Sequence, residues 1–297
     1  MAEIVVVGSL NVDTTVRVAR LPQPGQTVLG SGHFGDTGGK GANQAVAAAR
    51  LGRRVAMIGA VGADADGDRL VAALESAGVD VAGVRRDPDR PTGIAHITVD
   101  DSGENMIVVD PGANGGLDPE HVERHRDLLA GASVVMAQLE VPLEAVERAI
   151  ALAAGARILN PAPGRPLPDS LLERVGVLVP NQTELGVLAG AATPDGPLEA
   201  GRLARSLPAA AVVVTLGAAG ALLVSGDAAK HIAAPRIQAV DPTAAGDAFC
   251  GGLADGIARG LGLPEAVGWA VRCGAAAATR WGAQASLPSR EDVEALP

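Results

Sequence analysis

From residue 118 onward the chain alternates between two hydrophobic periods, and that alternation restricts its fold more than any other feature. Helical spacing covers residues 118–129 and 142–154, while apolar strand-like runs occupy 133–138, 157–160, 176–180, 211–216 and 220–224. Strands separated by helices are joined by crossovers, which implies a mainly parallel sheet with helices on both faces. The amino-terminal part fits the same scheme. A β-branched run at 4–8 reads as a buried strand, an Ala-rich helix opens at 38–44 and runs to Leu51, a strand follows at 55–59, and a helix at 66–77. The expected fold is α/β, a three-layer α/β/α sandwich. The 47% hydrophobic content of the 297 residues is ample for its core.

Two stretches stand outside this series. Residues 14–37 carry short alternating pieces punctuated by Pro22, Pro24, Gly25, Gly30 and Gly32. Residues 92–99 and 105–109 alternate around Asp100-Asp101-Ser102-Gly103, a hairpin signature. Together they read as a small β lid, built from about 14–37 and 92–109, on a single domain spanning 1–297; no internal repeat or Pro/Ser-rich linker divides the chain. A small two-faced sheet exposes apolar residues and strand edges, so a homodimer formed through the lid is also expected.

Composition narrows the partners. A formal charge of -10 is unsuited to nucleic acid or an anionic membrane, both of which need a basic surface. Tyrosine is absent and aromatics make up 1% of the chain, so platforms for stacking bases are lacking. Cys250 and Cys273 lie in apolar helical patterns and read as reduced thiols. With no signal-peptide layout and no apolar run of membrane-spanning length, the expected location is cytoplasmic.

The chemistry is expected at Asp241-Pro242-Thr243-Ala244-Ala245-Gly246-Asp247-Ala248-Phe249. Phe249, Leu253 and Ile257 recur at helical spacing, which puts Gly246 and Asp247 at a helix start. Free backbone N–H groups, a partial positive charge and small side chains there suit a phosphate. Asp247 in the same turn can take a proton from an attacking hydroxyl. An ordinary Gly/Asp helix cap has the same residues, so the other stretches must decide.

Lys40 among glycines has the wrong spacing for a P-loop and no Ser or Thr after it to hold magnesium. Asn43 offers an amide that both donates to and accepts from hydroxyls, and Asn11, Asp13 and Glu140 lie at strand ends where ligands gather. These groups suit a polyol. Asn181 and Glu184 are spaced as a capping box; alternatively Asn181 meets nucleotide phosphates and Glu184 holds magnesium through water. The turn from Thr215 through Gly217 to Gly220 is either a plain turn or a wall for the nucleotide. His121 and His125 lie one helical turn apart but lack the zinc spacing and read as an exposed face.

Gly39-Lys40-Gly41-Ala42-Asn43-Gln44-Ala45 and the stretch 241–247 resemble the two signatures of the ribokinase-like (PfkB) family of carbohydrate kinases, and the likeness spans nearly the whole chain. Gly103-Glu104-Asn105, Gln138-Leu139-Glu140, Asn160-Pro161-Ala162-Pro163 and Gly282-Ala283-Gln284 are similar to that family as well. The resemblance implies ATP-dependent phosphorylation of D-ribose at O5, giving D-ribose 5-phosphate and ADP, with Asp247 as general base and the backbone at 244–247 as anion hole. Asn11, Asp13, Gly39, Lys40, Gly41, Asn43 and Glu140 would hold the sugar. Asn181, Thr215, Gly217, Gly220 and Gly246 would meet ATP, and Glu184 would help organise Mg2+. A K+ ion would lie against Asp241, Thr243, Ala277, Arg280, Gly282 and Ser286, mostly through carbonyl oxygens.

Two positions depart from the family pattern. Pro242 stands where threonine is usual, which removes a backbone donor. Val271 occupies a place near the adenine that is often polar. The same fold also serves kinases of other furanoses or nucleosides, such as 2-deoxyribose, fructose or adenosine. A catalytically silent sugar sensor is the alternative of another class, and the pairing of Gly246 with Asp247 speaks against it.

Overall fold

The computed structural model describes residues 2–297. The amino-terminal elements are β1 (Ile4–Val7), β2 (Asn11–Val18), β3 (Gly30–Gly38), α1 (Lys40–Arg50), β4 (Val55–Gly62), α2 (Ala65–Ser76), β5 (Val79–Asp87), β6 (Gly93–Val99) and β7 (Asn105–Asp110). The middle holds α3 (Pro119–Arg124), α4 (Arg126–Gly131), β8 (Val134–Ala137), α5 (Leu143–Leu152), β9 (Ala156–Leu159), α6 (Asp169–Leu172), β10 (Val177–Leu178), α7 (Gln182–Leu188) and α8 (Pro197–Arg205). The chain ends with β11 (Val212–Thr215), β12 (Ala221–Ser225), β13 (Ala228–Ile232), α9 (Ala245–Ala258), α10 (Leu263–Ala277) and α11 (Arg290–Glu294).

Nine strands form one sheet in the order β13-β12-β11-β10-β9-β8-β1-β4-β5. Pairing is parallel from β11 across to β5, and antiparallel only at β11–β12 and β12–β13. Successive side chains of β1 point to opposite faces. Ile4 and Val6 therefore join one core with residues of α1, α2, α9 and α10, while Val5 and Val7 join a second core with residues of α3, α4, α5, α7 and α8. Three layers result, as the alternating periods predict. A second sheet, β3-β2-β6-β7, gathers the two stretches that stood outside the series.

Some details differ from the sequence reading. Strands β5 and β13 were not expected; β5 is only partly buried and β13 almost fully exposed, so neither carries a continuous apolar run. The helix expected over 118–129 is two helices, because His125 leaves the helical region at φ -104° and ψ 22°. His121 is buried rather than exposed, and its Nε2 lies 2.9 Å from the Gly83 carbonyl.

Helix α9 is held at its far end by one buried carboxylate. Asp255, with a fully buried side chain, lies 3.0 Å from Arg53 and 3.0 Å from Arg290, with Arg259 at 3.7 Å. Arg290 also donates to the Leu51 carbonyl at 2.5 Å, which ties α11 to the end of α1. Arg290 and Arg259 both lie over the Trp269 ring, at 5.4 and 5.6 Å. Removing the shared anion takes the carboxylate from Arg290 and Arg259 and leaves Arg53 with Glu3. Asp255→Ala is expected to cost about 3–5 kcal/mol in urea unfolding, whereas Arg259→Ala, on the longest contact, should cost under about 1 kcal/mol. A similar small cost for both would show that the carboxylate is not the anchor.

Candidate active site

The entry into α9 is strained. Ala244 is its N-cap and, among the described residues, the one non-glycine residue with positive φ, at 58°. A left-handed alanine costs about 1–3 kcal/mol and persists only where its surroundings enforce it. No side chain caps this helix, so Asp247 is not serving as an ordinary cap. The Ala245 amide donates to the Pro242 carbonyl at 3.1 Å and that of Ala248 to Ala244 at 2.8 Å. Of the first-turn donors this leaves Gly246 and Asp247 as those without an intrahelical partner. Space beside Gly246 is open: nothing lies within 4 Å of where a Cβ would stand.

Asp247 is 8% exposed, and both its oxygens accept side-chain amides. Asn43 Nδ2 donates to Oδ2 at 3.0 Å and Gln44 Nε2 to Oδ1 at 3.0 Å. Burial pushes the carboxyl pKa up, against the pull of Lys40, Asn43 and Gln44. For Lys40 burial works downward, but Asp247, Glu140 and Glu184 outweigh it and the ammonium is held above its ordinary value. Lys40 is therefore a half-buried cation facing several carboxylates.

The start of α1 brings the sugar-side candidates together. Gly39 caps it with φ 88°, and a Cβ there would meet the Asn11 amide nitrogen at 2.7 Å. Glu140 accepts from the Lys40 amide at 3.0 Å and from the Ser9 hydroxyl at 2.5 Å, while Ser9 accepts from the Gly41 amide at 3.3 Å. Asn114 fixes Asn11: its Nδ2 donates to Asn11 Oδ1 at 2.8 Å and to the Leu10 carbonyl at 2.9 Å. Asn43 Oδ1 is buried without a partner among the described residues. Asp13, at the mouth, is pushed up to about 7 by burial and by the neighbouring charges of Glu140, Asp36 and Asp247.

A cavity of about 150 Å³ opens beside these groups, lined by Lys40, Asn160, Asn181, Glu184, Thr215, Ala244, Gly246 and Asp247 among others. Asn181 and Glu184 do form the capping box, with bonds of 2.8 Å in each direction. Burial raises the Glu184 carboxyl pKa, opposed by the Asn181 amide and Lys40. Gly217 and Gly220 shape the turn after β11, with φ 57° and 94°, but do not line the cavity. A larger groove of about 640 Å³ near Arg85, Arg90 and Glu144 lies among ion-paired arginines and shares no residue with this site.

The remaining candidates lie on two segments joined by hydrogen bonds: Asp241 and Thr243 before α9, and Ala277, Arg280, Gly282 and Ser286 at and after the end of α10. The Asp241 carboxylate accepts from the Thr243 amide at 2.9 Å and the Gly282 amide at 3.0 Å, and the Val240 amide donates to the Ala278 carbonyl at 2.8 Å. Arg280 spends its guanidinium on Asp292, at 2.9 and 2.5 Å. Ser286 is buried and donates to the Ala283 carbonyl at 2.9 Å. Thr37 of β3 donates to Gln284 Oε1 at 2.8 Å, which links the small sheet to the second segment.

Ser9, Gln44, Asn114, Gln138 and Asn160 also converge here, without a role in the sequence reading. Helical spacing was a usable signal for Gln44, since residues 40, 43 and 44 fall on one face. Asn114 is joined to Asn11 across 103 positions, and no local pattern marks it.

Comparison with known proteins completes the picture. The family described as pfkB family carbohydrate kinase matches residues 1–290. The chain is 39% identical to the ribokinase of Schizosaccharomyces pombe, covering 99% of this chain and 97% of that protein. It is 37% identical to the deoxyribokinase of Salmonella typhimurium, over 97% of this chain and 96% of that one. The structure of Arabidopsis thaliana ribokinase complexed with ribose and ATP superposes with a TM-score of 0.88 at 30% identity, covering 99% and 97% of the two chains. On the strength of that whole-length match, the chain belongs to the PfkB family of carbohydrate kinases.

Proposed function

We infer that this protein transfers the terminal phosphoryl group of ATP to D-ribose. The observation that carries the reading is a buried carboxylate, Asp247, in the first turn of a strained and open helix start, opposite a half-buried lysine. In this reading the O5 hydroxyl sits beside Asp247, which takes its proton as oxygen attacks the terminal phosphorus. The bond from that phosphorus to the bridging oxygen breaks, and ADP leaves. The Gly246 and Asp247 amides receive the charge on the moving phosphoryl group, and Lys40 offsets it from the side.

Asn11, Asp13, Glu140 and the Asn43 oxygen supply acceptors for ribose hydroxyls, with Gly39 and Gly41 allowing the backbone close. ATP lies along Asn181, Thr215 and Gly246, with the turn of Gly217 and Gly220 outside it. The cavity's oxygen donors, Glu184 foremost, fit a hard divalent cation, so Mg2+ would be held there through water. When bound, it neutralises phosphate charge. Asp247→Asn should keep ribose binding and lower kcat by roughly two to four orders of magnitude, read in a coupled assay with ribose, 2-deoxyribose, fructose and adenosine in parallel. Preference for another substrate would move the reading within the family, and no turnover with any would favour a sugar sensor.

A monovalent cation, K+, fits the two segments at Asp241, Thr243, Ala277, Arg280, Gly282 and Ser286. With the Arg280 guanidinium engaged elsewhere, its carbonyl is the part free to serve. Such an ion would brace the loop leading into Ala244 from behind, so its loss should lower kcat more than it weakens ribose binding. Rates in potassium, sodium and tetramethylammonium salts at equal ionic strength test this, and equal rates would remove these residues from the site.

The small sheet is the natural lid of the single domain. Phe34, Met106, Ile107, Val108 and Val109 on it are all exposed, which supports pairing with a second copy. Sedimentation at micromolar concentration should give a homodimer, and replacing Ile107 and Val108 by charged residues should give monomers. A wild-type monomer would refute the pairing.

A further inference from the structure

One of the two amides on Asp247 has its direction set by a distant group. The Val179 carbonyl can only accept, so the end of Asn160 that meets it at 2.9 Å is Nδ2, and Oδ1 is turned to Gln44. Gln44 must answer with Nε2, at 3.1 Å, and the second hydrogen of that nitrogen reaches Asp247 Oδ1 at 3.0 Å. Gln44 Oε1 then accepts from Gln138 Nε2 at 2.6 Å. The backbone acceptor settles an amide orientation that is otherwise ambiguous. Gln138 fits only because residue 8 is glycine: a Cβ there would stand 1.9 Å from its Oε1.

We propose that Gln44 is a positioning residue for the phosphoryl transfer, holding the Asp247 carboxylate ionised and aimed through a donor whose direction Asn160 and Gln138 fix. The proposal rests on Asp247 being the base. Both amide hydrogens of Gln44 and its oxygen are engaged within the protein, so it has no donor left for a ligand, unlike Asn43 with its unpartnered oxygen. The charged groups around Asp247 pull in both directions. Lys40 of α1 favours the carboxylate, whereas Glu140 after β8, Asp13 of β2 and Glu184 of α7 are like charges, and Cys250 on its own helix is held as the thiol. A hydrogen bond to the charged form works with Lys40 and Asn43 against the burial.

Gln44→Met keeps the length of the side chain and removes both donors. The acid limb of the kcat–pH profile should move up by about one unit, and kcat at pH 7 should fall about tenfold, with KM for ribose changed by no more than about twofold. The 13C-carboxyl titration of Asp247, identified by its absence in Asp247→Asn, should shift the same way. That signal requires no turnover, so it separates failure of this proposal from failure of the ribose reading. An unmoved titration, or a lower kcat with the acid limb in place, would overturn the positioning role. Should Gln44→Met not fold, Gln138→Met removes the bond that holds Gln44 Oε1 and should shift both readouts upward by less. A Gln138→Met protein with both readouts unmoved would overturn the relay.

Discussion

Helix α9 has to pass between α1 and α10 with almost no side chain on its flanks, and the site depends on that passage. A Cβ on Gly251 would come within 2.5 Å of the Ala47 side chain, one on Gly252 within 2.6 Å of Cys273, and one on Gly256 within 2.9 Å of Ala266. A glycine inside a helix costs about 1 kcal/mol relative to alanine. Three of them here are offset by the contact they allow. Because the helices nearly touch, Asn43 and Gln44 of α1 reach Asp247 of α9 with ordinary side-chain lengths.

Proximity then concentrates charge. Lys40 is set among Asp13, Glu140, Glu184 and Asp247, and burial raises the cost of ionising Asp13, Glu184 and Asp247. The protein tolerates this through backbone and amide donors: Lys40 N–H on Glu140, Asn181 N–H on Glu184, two side chains on Asp247. A polyol brings hydroxyl donors to the same oxygens, so the arrangement resembles a mould for groups with hydrogens to give. Selectivity between closely related sugars then turns on which acceptors find a hydroxyl opposite them.

Much of this was legible in the chain. The alternating periods yield the three layers because strands buried on both faces and helices with one apolar face differ in repeat, and residues 14–37 and 92–109 stand out because they follow neither helix-strand order. The start of α9 was legible from small residues preceding an apolar helix. What stayed hidden depends on distant partners. β13 is a short, exposed edge strand that forms because β12 offers it a ladder. The burial of His121 comes from Gly83, 38 positions away. Gln44 lay in view within a quoted motif, yet its task follows from the Val179 carbonyl, which no local pattern reveals.

The handover from β1 to β2 gives the molecule a mechanical property. Only residues 8–10 separate the last strand residue of the central sheet from Asn11, which opens β2 and pairs with Gly38 on one side and Gly93 on the other. The small sheet thus springs directly from the candidate site, on an arm of eight residues, about 26 Å long at the usual rise per residue. Asn114 clamps the junction by gripping Leu10 and Asn11 together. Thr37 on Gln284 and Arg69 on the Gly35 carbonyl brace the same end of the sheet, beside Val12 and Thr14 of β2.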